Sequence, residues 1–450
     1  MNVLLAIDWS AVAVKAGQFI LSFSILVILH ELGHFLPAKW FGCRVEKFYL
    51  FFNPWFSLFK KKVGETEYGL GWVPFGGYVK ISGMVDESMD KEQMKLPPQP
   101  HEFRSKPAWQ RLIIMLGGVT VNVILALVIF IAITWAWGER YIPAENLKYG
   151  VYSDSLGKKI GVQDGDKIVA VGGKPVERIG TVGYEIATRE PKSITVDRNG
   201  QKIELQIPTG FVSQLTANRL GGFTYVRYPL VVDSVRKVEG NPLGNVQKND
   251  RLIAINNLPV EYNTDLMQVE DYKNKKATLT FLRNGRDTVQ AQVQFDEKGG
   301  SDVMFKSMAD MLGSKHISYT FAESIPVGVN RCFETLSNYI KGIGQLFTSK
   351  EVKVRDSLGS VLSIGNVFPG QWDWQSFWTL TALFSIILAF MNVLPIPALD
   401  GGHALFTLYE MITGRKPSDK FMEYAQMVGM VLLLGLMVYA LGLDIWRIFK

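Results

Sequence analysis

The sequence has little cysteine, little charge and no basic tract, and each absence excludes a class of protein. Its 450 residues include only two cysteines, Cys43 and Cys332, so a disulfide framework cannot support the fold. The 48 basic residues offset 42 acidic ones without forming a long cationic run, which argues against a nucleic-acid partner. Charged residues make up 20% of the chain and hydrophobic residues 48%, which excludes intrinsic disorder and an ordinary single soluble domain.

Four apolar runs approach the length of about 20 residues that a helix needs to cross a bilayer. The first run contains three ionisable residues, His30, Glu31 and His34, whereas the second has no charge and ends near Trp135 and Trp137. The pattern predicts a polytopic α-helical membrane protein with about four transmembrane helices and inserted soluble modules.

Lysine and arginine are concentrated in the loop after the first run and in the loop between the third and fourth runs. Basic loops of this kind usually stay in the cytoplasm. We therefore expect both loops to be cytoplasmic. Both termini and the long stretch at about 138–374 are expected across the membrane.

The long stretch contains an internal repeat. Residues 161–176 align with residues 245–260, with Asp166 matching Asp250, and both copies continue into a strand that reaches an Asn-Gly turn. The pattern resembles PDZ domains and predicts two PDZ-like α+β modules, a fold in which an extended peptide adds a strand beside a groove. The alternative is a pair of small β-rich domains without a peptide ligand.

The first apolar run carries the motif His-Glu-Leu-Gly-His at residues 30–34. On a helix, His30 and His34 share one face and can hold one zinc ion, and Glu31 beside them can take a proton from water. A polar helix face lining a bundle interior is the alternative. Ionisable groups in a membrane helix are costly unless they are compensated, which favours a metal site.

A hydrolytic zinc site needs a third protein ligand and an open position. The segment 391–403 ends the third apolar run, and Pro395 and Pro397 must break its helix before Asp400 and His403. Asp400 is slightly preferred as the third ligand, with His403 as the competitor because imidazole is the commoner zinc ligand. Asp400 as a simple helix cap is the other interpretation.

Together, these motifs resemble the site-2 protease family of intramembrane zinc metalloproteases over nearly the whole chain. The resemblance rests on HELGH, on GWVPFGGYVKISG at 71–83, on the paired PDZ-like modules and on NVLPIPALDGG at 392–402. The two modules are similar to those of the bacterial branch that regulates sigma-E. The resemblance implies that His30, His34 and Asp400 are the zinc ligands and that Glu31 is the catalytic base. It thereby selects Asp400 over His403.

The resemblance also implies two substrate-binding elements. The segment 71–83 would form a membrane-associated β-hairpin that receives the unwound substrate as an extra strand, through Gly76, Gly77, Tyr78 and Val79. Asn392 would hold the substrate backbone, with a helix-packing role as the alternative. The sequence departs from the family pattern at Gly117-Gly118 before Asn122, and it lacks the proline expected near residues 357–364.

The expected function is zinc-dependent cleavage of single-span membrane proteins, such as anti-sigma factors or remnant signal peptides, after another protease has trimmed them. The PDZ-like modules would act as a size filter, and lipid would contact the spans. A non-enzymatic scaffold or metal carrier is the rival, and Glu31 argues against it because a scaffold needs no base. We expect a multi-pass protein of the inner (plasma) membrane, with its active site toward the cytoplasm and its modules outside.

Residues 320–372 are predicted to form an amphipathic, interfacial region, with packing on the modules as the alternative. The expected segments are the first span with HExxH at 1–37, the cytoplasmic loop with its β-hairpin at 38–111, the second span at 112–137, PDZ-like modules at 140–210 and 221–297, the interfacial region at 320–372, and the third and fourth spans at 375–413 and 426–447.

Overall fold

The computed structural model describes residues 8–84, 97–217, 222–236, 245–268, 272–297, 299–352, 355 and 359–449. The start of the first predicted span, part of the loop after it and parts of the second predicted module lie outside these residues, as does part of the region where a proline was expected. The chain forms two units. One comprises Met1–Gly138, Ser318–Ile343 and Leu358–Lys450, and the other comprises Glu139–Ile317 and Gly344–Ser357.

The first unit begins with a helix, a sheet and a second helix. Helix α1 (Trp9–Trp40) begins where the Asp8 carboxylate accepts two backbone N–H groups, as an N-cap does. The next elements are β1 (Val45–Phe52), β2 (Phe59–Val63), β3 (Thr66–Leu70), β4 (Val73–Ile81) and α2 (Ala108–Trp137). The strand order is β2-β3-β1-β4, so β4 lies at an edge. The segment 71–83 was expected to form a hairpin, but it contains the single strand β4. This strand pairs with β1, which lies further back in the sequence.

The second unit contains the repeat. Its first part comprises β5 (Glu139–Tyr141), β6 (Val151–Ser153), α3 (Ser155–Lys159), β7 (Lys167–Val171), β8 (Lys174–Pro175), α4 (Val182–Arg189), β9 (Ser193–Arg198), β10 (Gln201–Gln206), α5 (Phe211–Ala217) and β11 (Thr224–Val226). Four strands form a sheet of order β10-β9-β7-β8, and β11 pairs with β6. The core of this module includes the fully buried Ile186, Ile194, Val196 and Leu215.

The second module has the same strand order. Its elements are β12 (Val232–Val235), β13 (Arg251–Ile255), β14 (Leu258–Pro259), β15 (Lys276–Arg283), β16 (Asp287–Gln294) and β17 (Val303–Phe305), followed by α6 (Met308–Leu312) and β18 (Lys315–Ile317). The sheet order is β14-β13-β15-β16, and β17 pairs with β12. Both modules end later than expected, because a closing strand, β11 or β17, returns to pair with β6 or β12. Strand β18 pairs with β5, so the segments that precede and follow the two modules in the sequence lie side by side.

A buried aspartate forms an ion pair with an arginine at the same place in both modules. The guanidinium of Arg198 donates two hydrogen bonds of 2.8 Å to Asp166, and Arg283 donates bonds of 2.9 and 2.8 Å to Asp250. Each aspartate also accepts the backbone N–H of the residue three positions earlier. The two modules therefore share a polar network in addition to their strand order.

In the part of the chain that the structure describes, the first unit resumes with five helices. They are α7 (Phe321–Thr348), which continues into the second unit, α8 (Val361–Gly365), α9 (Trp374–Val393), α10 (Asp400–Thr413) and α11 (Asp419–Phe449). Within the described residues, four helices are long and apolar enough to cross a membrane: α1, α2, α9 and the part of α11 at Lys420–Arg447. The chain has the helices of a membrane protein, and the number of candidate spans agrees with the four that the sequence predicts.

The third predicted segment, 375–413, is two helices. Helix α9 ends at Val393 and α10 begins at Asp400, because Pro395 and Pro397 cannot continue a hydrogen-bonded helix. Ala398 in this break has φ +83°, a left-handed conformation that disfavours residues with a Cβ. The backbone is thus strained two residues before Asp400.

Helix α7 has two contrasting faces within the first unit. Ser324, Gly328 and Cys332 are buried at four-residue spacing, and a Cβ on Gly328 would overlap Ile131 of α2. Large apolar residues elsewhere on the helix are exposed, namely Ile325, Phe333 and Ile340. The helix is amphipathic as expected, and its small-residue face packs on α2.

Candidate metal centre

Helix α1 presents both motif histidines on one face. His30 and His34 are one turn apart and buried, and their Nε2 atoms lie 3.3 Å apart. The proline break turns the chain so that Asp400, the first residue of α10, faces them. Its Oδ2 lies 3.3 Å from the Nε2 of His30 and 3.3 Å from the Nε2 of His34.

The three ligand atoms form a triangle whose size suits zinc. Tetrahedral zinc with bonds of about 2.0 to 2.1 Å separates its ligand atoms by about 3.3 Å. The Asp400 Oδ2 is buried and has no hydrogen-bond partner among the described residues apart from its ion-pair contacts with the two imidazoles. In the described part of the chain, this is the one group of three such residues with metal-site spacing. The donor set therefore fits a zinc ion with an open position.

The orientation of His34 is fixed from α2. Its Nδ1 lies 2.8 Å from the backbone carbonyl oxygen of Ile114. A carbonyl oxygen only accepts, so Nδ1 carries the proton and donates it. The lone pair of Nε2 then faces Asp400, as a metal ligand requires.

Three glycines let α1 and α2 approach closely enough for these contacts. A Cβ on Gly33 would overlap the carbonyl group of Gly117, and a Cβ on Gly118 would overlap the imidazoles of His30 and His34. Sequence reasoning noted Gly117-Gly118 only as a departure from a family pattern. The signal for their role is a glycine pair within an apolar run, which typically marks close helix packing.

Glu31 and β4 line the cavity beside this triangle. The cavity has a volume of about 370 Å³ and includes Glu31, Gly77, Tyr78 and Val79 in its wall. A Cβ on Gly77 would lie 3.5 Å from the Cγ of Glu31, so the strand passes directly beside the proposed base. Gly76 is on the same strand with φ +141°, a conformation open to glycine, and it faces the Phe52 ring.

Tyr78 is held as a neutral hydrogen-bonding group. Burial and the neighbouring Tyr49 raise the pKa of Tyr78 to about 12, and its hydroxyl donates to the Asn53 side chain at 2.9 Å. The rings of Tyr78 and Tyr49 stack at a centroid distance of 5.3 Å. Tyr78 therefore shapes the cavity wall and is no candidate for proton transfer near neutral pH.

The structure separates the two competing third ligands and brings Asn392 to the site. His403 lines the same cavity but is absent from the triangle that Asp400 completes. Asn392, near the end of α9, has its Nδ2 at 3.2 Å from the Nε2 of His30. Asn122, on α2, has its Nδ2 at 3.1 Å from the Nδ1 of His30, a contact that sequence reasoning did not anticipate.

Comparisons with known proteins agree with this geometry. The sequence model of peptidase family M50 matches residues 18–436. A Treponema pallidum protein named "Putative zinc metalloprotease" is 28% identical, over 90% of this chain and 93% of its own length. The "Regulator of sigma E protease" of Haemophilus influenzae is 25% identical, over 96% of this chain and 98% of its own.

Proposed function

This chain belongs to peptidase family M50, the family of the site-2 proteases, and on that premise we propose that it cleaves a peptide bond in or beside the transmembrane helix of a single-span protein. The predicted family, the zinc metallopeptidase class and the zinc cofactor are confirmed at the level of the family. The rival interpretation of a non-enzymatic scaffold or carrier loses its support, because the family is one of peptidases.

The observation that carries the proposal is the 3.3 Å triangle with a carboxylate in the same cavity. We assign His30, His34 and Asp400 as the residues that hold zinc. When bound, zinc lowers the pKa of water to about 7 and polarises a carbonyl group. The three side chains line the same cavity as Glu31, so a zinc ion held by them would face the space that a water and a substrate carbonyl can enter.

Glu31 is assigned as the general base and acid. Its carboxylate accepts a proton from the attacking water and then delivers it to the leaving amine. Glu31 is one residue from His30, so the helix turns it about 100° from His30, on the side where it meets β4. It can therefore reach a substrate lying along that strand without competing with the histidines for the metal.

Strand β4 is assigned as the platform for the unwound substrate. A helical substrate has its carbonyl groups engaged in its own hydrogen bonds and must unwind before attack. An edge strand presents unpaired backbone groups that accept another strand. Residues Gly76 to Val79 occupy the part of this edge nearest Glu31. The Asn392 amide, close to His30, is suited to hydrogen-bond the substrate backbone beside the scissile bond.

The two modules are assigned as PDZ-like domains that exclude substrates with bulky outer domains. Their common strand order, with a short strand pair beside a four-stranded sheet, supports a duplicated module with a groove for an extended peptide. Suitable substrates are anti-sigma factors already trimmed outside the membrane and remnant signal peptides. The similarity to a protein named for sigma E regulation supports this class.

The basic loops favour an orientation in the inner membrane with the active site toward the cytoplasm and the modules on the other side. The exposed apolar face of α7 supports contact with the lipid interface.

The test uses the purified full chain in detergent with a single-span substrate, with and without a zinc chelator. We expect chelation to stop cleavage, and Glu31→Gln to retain zinc while the rate falls by about 10² to 10⁴. Glu65→Gln is the control, because that exposed glutamate forms only a 3.9 Å contact with Lys39. Cleavage by Glu31→Gln at the rate of the control would end the proposed mechanism.

A further inference from the structure

His30 is contacted by two side-chain amides, and a neutral imidazole cannot accept a hydrogen bond from both. The Nδ2 of Asn122 lies 3.1 Å from its Nδ1, and the Nδ2 of Asn392 lies 3.2 Å from its Nε2. Amide nitrogens only donate, and a neutral imidazole has one accepting nitrogen. One of the two amides must therefore be turned by 180°, a change that leaves its shape almost the same.

The proposed function decides which kind of atom lies beside Nδ1, and the inference rests on it. If His30 binds zinc through Nε2, the lone pair is there and the proton is on Nδ1. The group beside Nδ1 must then be an acceptor. We propose that Asn122 is a positioning residue that holds its side-chain oxygen against the Nδ1–H of His30, fixing the tautomer and the orientation of this zinc ligand.

The surroundings of Asn122 support this assignment. The residue is fully buried in an apolar helix, where an amide is costly unless it is hydrogen-bonded. With its Nδ2 toward His30, the Oδ1 of Asn122 has no hydrogen-bond partner among the described residues. Turning the amide by 180° brings this oxygen to His30. Its backbone oxygen accepts the Ser385 hydroxyl at 2.7 Å, which anchors this position between α2 and α9.

The two histidines are then oriented in the same way. His34 donates its Nδ1–H to the carbonyl oxygen of Ile114, and His30 donates its own to Asn122, two turns further along the same helix. Helix α2 thus contributes no metal ligand but supplies the acceptor for each imidazole that does. Such partners of ligating histidines typically change metal affinity about 10- to 100-fold.

Two substitutions separate this role from packing. Asn122→Leu keeps the shape and removes the acceptor, so zinc affinity should fall about 10- to 100-fold. Asn122→Asp keeps an acceptor and should bind zinc within about tenfold of the unaltered chain. A residue that only fills space would give the reverse order, because leucine suits an apolar helix and a carboxylate does not.

The experiment measures zinc affinity of the metal-free full chain in detergent by competition with a chelator, and the visible absorption of the Co²⁺-loaded protein. The control is Thr381→Val, which removes a buried 2.9 Å contact between Thr381 and Ser22 of α1 away from the ligands. We expect a weakened and altered Co²⁺ spectrum for Asn122→Leu only. Equal zinc affinity of Asn122→Leu and the control overturns the role of Asn122 and leaves the proposed function standing. An unaltered chain that binds no zinc overturns both.

Discussion

Gly33 of α1 and Gly117 of α2 lie so close together that a Cβ on either would overlap the carbonyl group of the other. Small residues at a helix contact in a membrane let the two backbones meet. Gly33 directly precedes the proposed ligand His34, and Gly117 directly precedes Gly118. Because Gly118 has no side chain, the imidazoles of His30 and His34 have room beside it. Helix packing and the metal centre therefore depend on the same glycines.

Gly117→Ala is expected to destabilise the protein and reduce its zinc content together. The added methyl group meets backbone, which cannot move aside, so a loss of about 1 to 3 kcal/mol is expected. Thermal unfolding and metal analysis of the purified chain measure the two effects. Gly435→Ala in α11 is the matched control, because no described residue outside its own helix backbone lies within 4 Å of its Cβ position. Alanine there should be neutral or stabilising by about 1 kcal/mol. Identical behaviour of the two variants would contradict the close contact.

Asp400→Ala is expected to lower zinc affinity by more than the roughly 100-fold that loss of a ligand's hydrogen-bond partner causes. It removes one corner of the triangle itself. His403→Ala should bind zinc as the unaltered chain does, since His403 lines the cavity outside the triangle. Competition with a chelator measures both affinities. The opposite ranking would move the third ligand to His403.

Helical periodicity was sufficient to predict that His30 and His34 share a face, because that relationship is local. The choice between Asp400 and His403 is not local. Both follow the same proline break, and only the turn of the chain into α10 decides which one meets the histidines. The contact of Asn122 with His30 depends on how α1 and α2 are aligned along their axes where they pack. No pattern in a single sequence shows that alignment.

The stability of the second module is expected to fall in acid through Asp250. Burial alone would raise the pKa of Asp250, but hydrogen bonds from Arg283 and the Gln247 N–H outweigh it and lower that pKa. A lowered folded-state pKa means that the stabilisation is present above the unfolded value of about 4 and is lost as the pH falls below it.

Hydrogen exchange of the full chain, corrected for intrinsic rates, measures this effect. Protection of β13 and β15 should decline below about pH 4. In Asp250→Asn, the protection of β13 and β15 should be lower at neutral pH and should decline less in acid. The first module has its own ion pair of Asp166 and Arg198, so its protection should match that of the unaltered chain. An equally steep decline in the variant would assign the acid sensitivity to other groups.

Removal of the modules is expected to broaden substrate choice without loss of zinc. Strands β5 and β18, which flank the modules in the sequence, pair with each other. A short linker between them can therefore replace residues 143–313. His30, Glu31, His34 and Asp400 all lie outside the deleted part. The shortened chain should cut untrimmed and trimmed single-span substrates at similar rates, because exclusion by size is lost.

The comparison requires both chains in membranes, with zinc content measured beside cleavage. A shortened chain that retains zinc and still prefers trimmed substrate would refute the filter. The modules would then act by recruiting partners through their grooves.

The repeat within the modules was visible because its strands carry a local alternation and its turns carry Asn-Gly. Their closing strands were missed because β11 and β17 have only three residues each and pair with strands far back in the chain. The segment 71–83 was expected to form a hairpin by itself, whereas its strand β4 pairs with β1. Its partner β1 precedes it by two other strands, and sequence proximity favours the nearer turn.

The ligand triangle joins the beginning of the chain to a residue in its last part, with both modules encoded between them. During synthesis, His30 and His34 enter the membrane first, and Asp400 leaves the ribosome only after both modules have been made. A nascent or truncated chain that ends before Asp400 holds two of the three ligands and has no complete hydrolytic centre. Because Asp400 is synthesised after both modules, the chain can become active only once the modules that are proposed to restrict its substrates have been made.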